Sequence, residues 1–108
     1  MWTAMGTSAA NTTQTVTMAA VSTKKHYVFA FEVALRAADA GNDMVIELRD
    51  GSTAKWKTVI GNGAPRGERI GIVFPKPIEM SINTAVNLVV PAGGTGCITE
   101  ANIAGETK

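Results

Sequence analysis

Between residues 27 and 36 the chain reads Tyr-Val-Phe-Ala-Phe-Glu-Val-Ala-Leu-Arg, with Tyr27, Phe29, Phe31, Val33 and Leu35 at every second position. Side chains two residues apart share one face of a β-strand, whereas a helix face recurs near every 3.6 residues. The spacing predicts a strand with an aromatic face, and that face is the expected centre of a core.

The same period recurs along the chain. Val16, Met18 and Ala20 alternate with Thr15, Thr17 and Ala19, which predicts a first strand over 15–21. Met44, Ile46 and Leu48 alternate with Val45, Glu47 and Arg49. Asp50-Gly51 follows, a pair that tolerates positive φ and so favours a hairpin turn. The return strand, 54–60, sets Trp56, Thr58 and Ile60 against Lys55 and Lys57. Ile70, Ile72 and Phe74 mark a strand over 68–74. Pro75 and Pro77 are expected to end it, since proline cannot donate to a ladder. Further strands are expected over 78–82, 86–90 and 97–103, with 104–108 as a tail.

About eight short strands with turn signals every 8–12 residues predict an all-β sandwich or barrel. Short turns favour antiparallel neighbours, because parallel strands need long crossovers. The fold class is therefore an antiparallel β-sandwich. Its expected core is Phe29, Phe31, Met44, Ile46, Leu48, Ile70, Ile72, Phe74 and Leu88. Residues 1–14 are rich in Thr, Ala, Ser and Asn and are expected to form an extended arm, with 15–108 as the single domain.

At 108 residues one core is feasible without disulfides or metals. Ten basic and nine acidic residues give a net charge of +1, which argues against a nucleic-acid partner. No apolar run approaches the roughly 20 residues of a membrane helix, and no secretory signal is expected. Cys97 is the sole cysteine and His26 the sole histidine, too few for a Cys/His zinc site. No metal or other cofactor is expected.

Candidate chemistry is sparse. Gly61, Gly63 and Gly67 punctuate the 61–67 loop, but the loop leads into a strand, whereas phosphate-binding motifs open a helix. It reads as a strand connection. His26, beside Lys25 and Tyr27 with no nucleophile nearby, reads as a surface or rim histidine. Cys97 shares a face with Thr99, Ala101 and Ile103 and reads as a buried, inert thiol. Asp39, Asn42 and Asp43 lack the ligand series and closing Glu of a calcium loop. The expectation is a protein without a catalytic centre.

Contact residues are more distinct. Trp2 and Met5 are the large side chains of the arm beyond Met1, and the readings of Trp2 are packing on a neighbouring subunit, or packing on its own domain or simple disorder. Glu32 lies mid-strand opposite the aromatic face, among Val28, Ala30 and Ala34. Such a small apolar face is either covered by another chain or lightly solvated. If covered, Glu32 needs a cationic partner, Arg36 or a neighbour's lysine, because an unpaired buried charge is costly.

Several segments together resemble a small structural protein of tailed bacteriophage virions, the head-decoration or auxiliary family. They are Thr15–Val21, His26-Tyr27-Val28, Leu48-Arg49-Asp50-Gly51 with Trp56, Phe74-Pro75-Lys76-Pro77-Ile78 and Thr84–Leu88. The resemblance spans roughly residues 13–103. It implies a jelly-roll-like or immunoglobulin-like sandwich, a homotrimer, bound to the major capsid protein or another virion protein. It also implies synthesis in the host cytoplasm and residence in the virion. The alternative function is a carbohydrate-binding β-sandwich module of a tail or fibre, for which Trp2, Trp56 and Tyr27 would supply the aromatic surface.

Overall fold

The computed structural model describes residues 1–108 and contains eight strands and no helix. They are β1 (Trp2–Thr7), β2 (Gln14–Met18), β3 (His26–Arg36), β4 (Met44–Asp50), β5 (Thr53–Ile60), β6 (Arg69–Glu79), β7 (Val86–Val90) and β8 (Ile98–Thr107). β1 pairs with β8, β2 with β7, β3 with β6 and β4 with β5, all antiparallel. Further pairing of β3 with β8 and β4 with β7 gives two sheets, β1-β8-β3-β6 and β2-β7-β4-β5. The chain is thus one long antiparallel ribbon, rolled so that alternate pairs fall in opposite sheets. That is the order of a jelly roll. An immunoglobulin sandwich puts its first two strands side by side in one sheet; here β1 and β2 lie in different sheets.

The expected total of about eight strands is reached by a different partition. Trp2–Thr7, within the stretch expected as an arm, is β1 and pairs along its whole length with β8. The expected tail 104–108 supplies the end of β8. Pro75 and Pro77 do not end a strand. β6 runs through them to Glu79 and absorbs the start of the strand expected at 78–82. Proline is tolerated there because β6 is a sheet edge and the prolines fall in an irregularity. Phe74 to Pro77 on β6 stand opposite the single residue Phe29 on β3.

That irregularity also corrects the aromatic face. Against β8, Val28 pairs with Gly105 and Ala30 with Ala104, so Phe29 is an extra residue, a β-bulge. Before the bulge the even positions, His26 and Val28, are buried. After it the odd ones are: Phe31, Val33 and Leu35. Tyr27 and Phe29 are only half-buried.

The core lies between the sheets. Val28, Phe31, Val33, Leu35, Phe74, Ala101 and Ile103 face it from one, and Val16, Met44, Ile46, Leu48, Ile60, Val86, Leu88 and Val90 from the other. Fully burying an aliphatic or aromatic side chain of this size contributes about 1.5–3 kcal/mol. Ile70 and Ile72 pack against this cluster but remain partly exposed, because β6 is an edge. The β4–β5 hairpin turns through Gly51-Ser52, with Gly51 at φ 62°, a value that glycine adopts without strain.

Polar groups fasten the two ends of the roll. His26 is buried, not at the surface: Nε2 donates to the Ala19 carbonyl at 2.8 Å and Nδ1 meets Thr107 Oγ1 at 2.8 Å. A carbonyl only accepts, so Nε2 carries the hydrogen. Buried Asp50 accepts from the Ser81 backbone N–H and from its hydroxyl, the latter at 2.6 Å. At the other end, Asp39 Oδ1 accepts from the Arg66 N–H and Asp43 Oδ1 from the Asn62 N–H, fixing the glycine-rich loop.

Candidate functional site

The contact residues expected from sequence separate into two groups. Trp2 and Val28 point inward. Val28 is fully buried, because the bulge at Phe29 reverses the alternation on which its surface position rested. The Trp2 ring packs on its own domain, edge-on to His26 at 5.6 Å between centroids. It lies over Gly105, where a Cβ would come within 2.6 Å of it. Met5, Ala30, Glu32 and Ala34 remain, and all four stand on the outer face of the β1-β8-β3-β6 sheet.

Strand register makes this face explicit. One row across the sheet is Thr3, Ala104, Ala30 and Val73; the next is Met5, Asn102, Glu32 and Gly71. The central strands carry alanines and the β6 edge a glycine, so the floor is low. Met5 stands at one rim, 73% exposed, and Val73 at the other, 79% exposed. Between them runs an open trough of about 530 Å³, floored in part by Phe31, Ile72 and Ile103.

Charges on the face are already matched. Glu32 pairs with Arg69 at 3.6 Å, across the register from β3 to β6, rather than with Arg36. Arg36 pairs instead with Glu100 at 2.6 Å, and Glu100 also accepts from the Thr7 hydroxyl. The Thr7 hydroxyl, then Arg36, hold the Glu100 carboxyl below its ordinary range. Such exposed pairs contribute little to stability, but they leave the face without net charge.

Sequence reasoning missed Thr3, Gly71, Val73, Asn102 and Ala104. Val73 was open to detection: with Ile70, Ile72 and Phe74 inward, an apolar β-branched residue remains on the outward side. Ala104 was hidden in the expected tail, and Thr3 in the expected arm.

No other region assembles chemistry. No group of three or more His, Cys, Asp or Glu side chains converges in a way that could hold a metal ion. Cys97 is buried, and burial raises its thiol pKa. The opposite sheet shows water Glu47, held between Arg49 at 2.7 Å and Lys57 at 3.4 Å, and beside it the exposed cross-strand pair Val45 and Val59. Comparison with protein-family models, with curated proteins and with solved structures found no match.

Proposed function

We propose that this chain is a non-enzymatic structural protein of a bacteriophage virion, attached to the capsid or another virion component through protein–protein contacts. The outer face of the β1-β8-β3-β6 sheet is its docking surface. The observation that carries the reading is the trough itself: two exposed apolar rims, Met5 and Val73, above a floor of small residues with every charge paired. A partner entering it removes apolar area from water without stranding a charge. The jelly roll supports the reading because capsid domains use it, although lectins and cupins do too, so the fold alone does not decide function. A sugar-binding reading has less support. Trp56 is held edge-on to Phe74 at 5.3 Å, and the one aromatic of the trough, Phe31, is buried in its floor.

The test is mass spectrometry of purified virions, followed by incorporation of the double variant Met5→Glu, Val73→Glu. The wild-type chain is expected in the particle, and the folded variant is expected to be lost from it. Absence of the wild-type chain from virions overturns the reading.

A further inference from the structure

We infer that β1 is a self-association strand: two copies of the chain pair β1 to β1, antiparallel about a two-fold axis, joining their sheets into one of eight strands. The inference does not depend on the virion reading. It rests on the backbone of β1 and on the contrast among the four sheet edges.

Ser8, which continues β1, donates its N–H to the Thr99 carbonyl of β8. Backbone groups alternate sides along an antiparallel strand. Gly6, Ala4 and Trp2 therefore point their N–H and C=O groups at β8, while Thr7, Met5 and Thr3 point theirs at the open edge. The other side of the sheet obeys the same parity: Leu35 N–H turns away from β8 and bonds the Glu68 carbonyl. β1 thus presents three residues' worth of ladder groups with no strand beside them.

Edge strands are normally blunted by charge, proline, bulges or shortness. β6 carries Arg69, Lys76, Glu79 and two prolines. β5 carries Lys55 and Lys57 and has a bulge. β2 lacks charge and proline but is shorter, with five residues. β1 has six, with neither charge nor proline. It is the longest edge without charge, proline or bulge.

The occupant is a second copy for reasons of closure and fit. Pairing β1 to β1 consumes that edge on both copies, and a two-fold contact cannot run on into a fibre through it. A two-fold centred on Ala4 sets Thr3 beside Met5 of the second copy on the outer face. On the inner face it sets Trp2 level with Gly6 of the second copy, whose side-chain space that copy's own Gln14 and Val16 fill. Thr3 of the second copy flanks each Met5, and the two troughs lie on one continuous face.

Light scattering over a concentration series tests this. Wild type is expected at twice the chain mass. Met5→Pro removes an N–H that points to the open edge and leaves the β1–β8 ladder whole, as edge prolines do. It is expected to raise the dimer dissociation constant about tenfold or more, with an unchanged circular dichroism spectrum. Met5→Lys, which adds charge without touching the backbone, is expected to act in the same direction and serves if the proline variant fails to fold. A wild-type monomer at high concentration overturns the inference. So does a trimer, the state that the family resemblance implies, and so does a dimer that a folded variant leaves intact.

Discussion

Val28 and Phe31 stand three residues apart on β3, yet both point into the core. An unbroken strand would turn them to opposite faces. The extra residue, Phe29, absorbs the difference and divides the strand into two halves of opposite parity. Phe31→Ala is expected to cost roughly 3–5 kcal/mol in denaturant melts. Phe29→Ala, at a half-buried position, is expected to cost clearly less. Equal losses at the two sites would place the bulge elsewhere.

Asp50 ties the end of β4 to the segment after β6 through Ser81. Asp50→Ala takes the charged acceptor away from the Ser81 N–H and hydroxyl and is expected to cost about 1–3 kcal/mol. Ser81→Ala removes only the hydroxyl and is expected to cost less. A double-mutant cycle on chemical denaturation measures the coupling.

Acid is expected to weaken the fold through three glutamates. Glu47 is held below its ordinary value of 4.5 by hydrogen bonding to Arg49, Glu79 by Lys25, and Glu100 by Thr7 and then Arg36. A carboxyl whose folded pKa is depressed contributes stability that is present above its unfolded pKa. That contribution is lost as pH falls through the folded one. The melting temperature is expected to hold above about pH 5 and to fall below it. All three groups are in contact with water, so added salt is expected to shrink the effect. Glu100→Gln is expected to flatten the slope in thermal melts from neutral to acid pH.

Cys97 is enclosed beneath Gly93, where a Cβ would come within 2.5 Å of Sγ. Burial, and secondarily the charge of Asp39, raise its thiol pKa. A thiol-specific reagent is expected to react slowly with the native protein and to titrate one equivalent after denaturation. Fast native labelling would show that this end of the roll opens.

Much of the sandwich was legible from period two alone, because Met44, Ile46, Leu48 and Leu88 sit on unbroken strands whose alternation survives folding. The Gly51 turn was legible for a local reason, its positive φ. What alternation could not see was a change of phase. Phe29 shifts the faces of β3 by one residue, which removed Val28 from the candidate contacts and left Ala30, Glu32 and Ala34 among them. β1 was hidden for a different reason. Trp2, Ala4 and Gly6 give too little apolar contrast to mark a strand, and their partners lie about a hundred residues away. His26 was misplaced because its acceptor, the Ala19 carbonyl, is a backbone atom that no side-chain pattern reveals.

The roll also carries an order of events. Each pairing of the ribbon is enclosed by the next, from β4–β5, joined by a two-residue turn, out to β1–β8. The inner hairpin can close as soon as it is made. β1 has no partner until β8 exists, and a ribosome adding 5–20 residues per second delivers it roughly 5–20 s later. Contacts of such separation also fold slowly once the chain is complete. Pulse-labelled hydrogen exchange is expected to find the β4–β5 amides protected first and those of β1 last. During that interval β1 is free at both sides, and newborn chains crowded together meet each other's β1 before their own β8.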